Sequence, residues 1–180
     1  MKKILIVSFL LLSLFSFSGC EKDDICDANT ATTPRLVITV YDITNPSILK
    51  NVTNMKVIGE NMADGIVFNT ATDGSQYLTN GNTVSIPLRT DSDSTTYSFI
   101  LNYENPNPNF VNEDKITFNY TRQNIFVSRA CGYKTVFTLD VSNPFTQTAV
   151  PITNPKWMQY VSVQTNNIVN ENETHIKVFF

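Results

Sequence analysis

Tyr97-Ser98-Phe99-Ile100-Leu101-Asn102-Tyr103 decides the fold class: Tyr97, Phe99, Leu101 and Tyr103 fall on every second position and make an aromatic stripe. Ile116, Phe118 and Tyr120 repeat it. A period of two is the mark of a strand with one buried face. Between the two stripes, Asn105-Pro106-Asn107-Pro108-Asn109 can be neither helix nor inner strand, so it is an exposed loop joining two strands. Further along, Arg122-Gln123-Asn124 reads as a turn into Ile125-Phe126-Val127, and Tyr133, Thr135, Phe137 and Leu139 alternate again. Towards the N-terminus, Val84, Ile86 and Leu88 alternate, with Pro87 on the opposite face suggesting an edge strand. Ile66-Val67-Phe68 is a short apolar run, Val52 to Ile58 a longer one, and Leu36, Ile38 and Val40 alternate with Val37, Thr39 and Tyr41. Trp157 to Gln164 and Ile176, Val178 and Phe180 complete the set.

Turn residues punctuate these runs: Asn45-Pro46, Asp64-Gly65, Asp73-Gly74, Asn80-Gly81, Asn143-Pro144 and Asn154-Pro155. No stretch carries a 3.6-residue period, and there is no internal repeat or domain linker. Eight or nine short strands in one domain, residues 35–180, point to an all-β, antiparallel, Ig-like sandwich with the stripes facing inward. A small β-barrel is the alternative.

The composition agrees. The chain has 180 residues, of which 42% are hydrophobic and 11% aromatic, enough for a packed core. Asn (21) and Thr (22) are heavily used, which disfavours a helical bundle. Without Lys2 and Lys3 of the leader, 11 basic residues face 16 acidic ones, a balance of −5. With no basic patch, nucleic acid is not an expected partner. The single histidine, His175, excludes most multi-histidine metal sites, and no cofactor is expected.

The first 19 residues read as a bacterial secretion signal: Lys2 and Lys3, then the apolar stretch Ile4 to Phe17, too short to span a bilayer comfortably. Phe17-Ser18-Gly19-Cys20 is similar to a lipobox, in which small residues precede a cysteine whose thiol takes the lipid. Acyl chains on Cys20 would anchor the chain stably, at about 0.8 kcal/mol per buried CH₂. Residues 20–34 then form a tether. Within it, Lys22-Asp23-Asp24 resembles the surface-export signal of Bacteroidota lipoproteins, which places the protein on the outer membrane facing outward. A periplasm-facing anchor is the alternative.

With Cys20 lipidated, Cys26 and Cys131 remain. Two readings are open. They pair, closing a loop of about 100 residues at a gain on the order of 4 kcal/mol, or they stay thiols with Cys131 buried as a small apolar residue. A catalytic thiol is disfavoured, because Asp23, Asp24 and Asp27 around Cys26 oppose a thiolate.

Chemistry is hard to place. His175 shares a face with Lys177 and is expected to be exposed, and no Gly-x-Ser-x-Gly elbow exists to build a triad around it. Asp91-Ser92-Asp93-Ser94 offers alternate carboxylates but lacks the glycine and distal glutamate of a Ca²⁺ loop, so it reads as a polar hairpin loop. Asp93-Ser94-Thr95 is similar to a Bacteroidota O-glycosylation acceptor, with Ser94 the modified residue. Glu171 and Glu173 read as solvated, and no motif supports a glycosidase pair. Trp157 and Tyr160 lie on opposite faces of one expected strand, and Tyr41 opposes the apolar face of another. These three are the candidate ligand aromatics, able to stack on a saccharide.

Asp23-Asp24-Ile25-Cys26, Thr32 to Ile38, Tyr41-Asp42 and Ser128-Arg129-Ala130-Cys131-Gly132-Tyr133-Lys134 together resemble a Bacteroidota lipoprotein family catalogued as a domain of unknown function, family 6452. The resemblance runs over nearly the whole mature chain. It implies that Cys26 and Cys131 are a recurring disulfide pair. It implies no activity, and no catalytic residue carries over. The expectation is an outer-membrane-anchored, surface-exposed lipoprotein that binds or scaffolds and is not an enzyme. The alternatives are an accessory subunit of an envelope protein complex and, more remotely, a carbohydrate-binding protein or cryptic glycosidase.

Overall fold

The computed structural model describes residues 25–180. The leader, Cys20 and the Lys22-Asp23-Asp24 signal lie outside the described residues. Eleven strands follow in chain order: β1 (Leu36–Tyr41), β2 (Met55–Gly59), β3 (Leu78–Thr79), β4 (Thr83–Ile86), β5 (Ser94–Leu101), β6 (Asn112–Ser128), β7 (Gly132–Leu139), β8 (Phe145–Val150), β9 (Tyr160–Val163), β10 (Asn167–Ile168) and β11 (Ile176–Phe179). They form two open sheets, not a closed barrel. The small sheet has the order β4-β1-β11-β9. The large sheet runs β10-β7-β6-β5-β2-β3, with β8 also on β6.

The sandwich is as the stripes predict. Tyr97, Phe99 and Leu101 of β5 and Ile116, Phe118 and Tyr120 of β6 are buried, and they pack with Leu36, Ile38, Val40, Ile176 and Val178 of the small sheet in one core. Burial of such side chains contributes about 1.5–3 kcal/mol each. Pro87 follows β4, which is an edge strand as its sequence suggests.

Four details differ from the sequence reading. First, the sheets are not wholly antiparallel: β1 and β11 pair in parallel, Ile38 beside Ile176 and Tyr41 beside Phe179. The two strands are separated by most of the chain, so no hairpin dictates their relative direction. Second, β8 and the short β3 and β10 are additional strands. Third, Ile66-Val67-Phe68 is no strand: Gly65 before it forms an isolated bridge with Ile58, Ile66 N donates to Val57 O and Phe68 N to Gln76 O. The Val52 run becomes a strand only from Met55, after Asn54 turns the backbone at φ 40°. Fourth, Arg122-Gln123-Asn124 is not a turn but the middle of the 17-residue β6. Its residues are polar because they are solvated, not because the chain reverses.

That long strand organises the large sheet. Its first half pairs β5 on one side and β8 on the other (Phe99 with Asp114, Asp114 with Ala149). Its second half pairs β7, from Tyr120 with Leu139 to Ser128 with Gly132. β7 and β8 therefore lie end to end along β6, and Asn119 bridges the break by accepting from Asp140 N and donating to Pro144 O. Beyond Tyr120 the β6–β7 hairpin continues as an arm: Thr121 to Phe126 of β6 are exposed, while Thr135, Val136 and Phe137 of β7 stay buried and Tyr133 near the tip is exposed. The turn at its tip uses Gly132 at φ 70°, a conformation favourable for glycine.

Cys131 in that turn is disulfide-bonded to Cys26, with Cα atoms 5.0 Å apart. Thr33 Oγ1 also accepts from Thr135 N at 3.0 Å. The segment before β1 is thus fastened along the arm.

Candidate functional site

The outer face of the small sheet gathers two of the candidate aromatics. Period-two alternation turns Leu36, Ile38 and Val40 inward, so Tyr41 points outward from β1. Tyr41 stands beside Phe179 of β11, and Phe179 beside Tyr160 of the edge strand β9. The three rings form a cross-strand row. Tyr41 and Phe179 stack with centroids 5.5 Å apart at 29°, and Tyr160 and Phe179 stand 5.6 Å apart at 42°. Lys177 Nζ lies 4.9 Å from the Tyr41 centroid, within cation–π range. Phe179 is enclosed between its neighbours, whereas Tyr160 keeps 58% of its surface open.

The stacking limits what this face can do. One side of the Tyr41 ring is spent on Phe179, so the open aromatic area is chiefly that of Tyr160. A flat apolar ligand could lie against Tyr160, with phenolic hydroxyls and the Lys177 ammonium as polar neighbours. The opposite end of the same face is closed by the loop before β11. Thr174 Oγ1 and Thr39 Oγ1 share a 2.8 Å hydrogen bond, and Glu171 Oε1 accepts from Arg35 N at 3.1 Å.

Trp157 is a correction. It precedes β9 instead of lying in it, and it is 8% exposed. Its Nε1 donates to Phe99 O at 3.0 Å, and its ring meets Phe180 edge to face. An indole satisfied in this way serves the core and offers no stacking surface.

His175 is a second correction: it is fully buried, not exposed. Its Nδ1 accepts from Val37 N at 2.9 Å, and Nε2 finds no hydrogen-bond partner among the described residues. A nitrogen that accepts from an amide is unprotonated, and burial pushes the imidazole pKa below its ordinary value. The loop that carries Glu171 and Thr174 folds over this end of the sheet, which alternation alone does not reveal.

The Asp91-Ser92-Asp93-Ser94 segment is polar and leads into β5, but it is not the hairpin loop its sequence suggests: it carries the chain from β4 of the small sheet to β5 of the large one. Its carboxylates meet guanidinium groups. Arg89 grips Asp91 through two 2.9 Å bonds, and Arg122 reaches Asp93 at 2.7 Å. Arg122 also donates to Thr90 O. Ser94 opens β5 opposite Asn119 and is half-buried.

Asp114 is the polar residue that the sequence reading passed over. It occupies the inward phase of β6, two positions before Ile116, and is fully buried. Its Oδ2 accepts from Met158 N and from Gln147 Nε2, both at 2.9 Å, while Oδ1 finds no hydrogen-bond partner among the described residues. Gln147 Nε2 also donates to Met158 O at 2.8 Å. This cluster pins the crossover from β8 to β9 against the core. Burial pushes the Asp114 pKa up, and the donated hydrogen bonds oppose that rise. A carboxylate on an otherwise apolar stripe was the available signal.

Fold and surface together define a disulfide-clamped β-sandwich with one aromatic outer face and one projecting arm. The model of a family described as a family of unknown function (DUF6452) matches residues 54–180, and the chain belongs to that family. The match takes in Cys131 and the Ser128–Lys134 segment but begins after Cys26 and β1, so it covers less than the resemblance suggested. No curated protein and no solved structure matches the chain.

Proposed function

We propose that the chain is an outer-membrane-anchored, surface-exposed Bacteroidota lipoprotein that acts as a binding or scaffolding module. One observation carries this reading: the segment immediately after the lipobox-like Phe17-Ser18-Gly19-Cys20 is covalently fastened to the folded domain through Cys26 and Cys131. A chain held this way passes force and orientation from a lipid on Cys20 to the sandwich within a few residues. Metabolic labelling with an alkyne-bearing fatty acid tests it. The wild-type chain is expected to take up the label and Cys20→Ala to lose it; equal labelling of the two, or none of the wild type, contradicts the anchor.

A second reading names a ligand class for the module. The Tyr41–Phe179–Tyr160 row with Lys177 favours a saccharide, stacked on Tyr160. Screening on a saccharide array followed by calorimetry of Tyr160→Ala tests it; no hits, or unchanged affinity in the variant, removes the saccharide.

A further inference from the structure

The tip of the β6–β7 arm is apolar where the fold has no use for apolar residues. Phe126 and Tyr133 face each other across the hairpin, their rings edge to face with centroids 5.4 Å apart. They remain 56% and 70% exposed. The disulfide brings Ile25, 83% exposed, to the same end. Lys134 follows Tyr133 on β7, opposite Ile125. An aromatic pair with an aliphatic neighbour and a lysine is the mixture that suits the boundary between headgroups and acyl chains.

The tether says what can cover it. Six residue steps separate Cys20 from Cys26, at most about 20 Å when fully extended. Cys131 is bonded to Cys26, so a lipid on Cys20 keeps the arm tip close to the bilayer at any tilt of the domain. We propose that Ile25, Phe126, Tyr133 and Lys134 rest in the interface of the membrane that holds the anchor. The domain then rests on these four side chains besides its lipid. Tyr41 lies at the end of β1 away from the tether, so the aromatic row with Tyr160 is turned from the membrane. This inference rests on the lipoprotein reading above.

The test uses the full lipidated chain, purified from membranes and reconstituted in vesicles of phosphatidylcholine and phosphatidylglycerol, with or without bromine on the upper acyl carbons. Phe126→Trp changes an exposed residue and reports depth, Tyr160→Trp is the control, and the buried Trp157 is common to both. The expected result is a loss of about half the added emission for Phe126→Trp in brominated vesicles and none for Tyr160→Trp. Introducing Cys26→Ser/Cys131→Ser into the Phe126→Trp chain should reduce that quenching. If the protein floats with the vesicles but Phe126→Trp is unquenched, the tip does not touch lipid and the proposal is overturned while the anchor stands. If that unquenched tip is shielded from an aqueous quencher in native membranes, a protein partner covers it instead, which overturns the proposal equally. If the wild-type chain does not float at all, the anchor fails and the proposal falls with it.

Discussion

Two buried polar residues set the molecule's chemical sensitivity. The single histidine, His175, is neutral in the fold, with its pKa held below the ordinary 6.5 by burial. The unfolded chain takes up a proton near pH 6.5 and the folded chain does not, so stability is complete above that pH and falls as the solution is acidified below it. Urea unfolding at pH 7.5 and 5.5 should show a lower midpoint at the acid value. His175→Gln, which cannot take up that proton, should lose most of the difference. The exposed Asp42, Asp73 and Asp91 are held below the ordinary 3.8, so they do not contribute in this window. Asp114 has the opposite sign. Its raised pKa makes ionisation a cost that acid relieves between the raised value and 3.8. It is nevertheless the acceptor for Met158 N and Gln147 Nε2. Asp114→Ala is expected to cost about 1–3 kcal/mol at neutral pH, since the buried Met158 N loses its partner while Gln147 Nε2 keeps its bond to Met158 O. A loss below about 1 kcal/mol in chemical denaturation would show that water or a relaxed crossover replaces the carboxylate.

At the level of elements, the arm and its disulfide matter most. The bridge spans 105 residues; the chain-entropy model gives about 5 kcal/mol for such a loop, reduced to about 2–4 kcal/mol when the freed tether regains motion in the native state. Cys26→Ser/Cys131→Ser should lower the unfolding free energy by that amount without altering the far-ultraviolet circular dichroism, because neither cysteine belongs to the core. A collapse of the β signal would mean that the arm nucleates the sheet. The inner strands β1, β5, β7 and β11 and the first half of β6 were legible in the sequence because one face is apolar at every second residue. The second half of β6 was not, since Thr121 to Phe126 are exposed and show no apolar alternation, although they pair with the buried Phe137, Val136 and Thr135 of β7. The parallel β1–β11 pair was illegible for a different reason: periodicity reports burial, not strand direction. Of the candidate aromatics, alternation placed Tyr41 outward correctly. It could not show that Phe179 would stack between Tyr41 and Tyr160, nor that Trp157 lay before its strand and found a carbonyl inside the core.

At the scale of the whole molecule, the two ends of the sandwich differ. One carries the tether, the disulfide and the exposed tip of the arm; the other presents the Tyr41–Phe179–Tyr160 row. A lipid on Cys20 would fix which of them meets the membrane. In the proposed reading, the compartment that the other end faces depends on the Lys22-Asp23-Asp24 segment. Protease shaving of intact cells decides this, with Lys22→Ala/Asp23→Ala/Asp24→Ala alongside. The expected result is cleavage of the wild-type domain on intact cells and protection of the tail variant until the cells are lysed. Protection of the wild-type protein on intact cells, with loss only after lysis, would contradict surface exposure and place the domain in the periplasm, where an envelope protein becomes its partner.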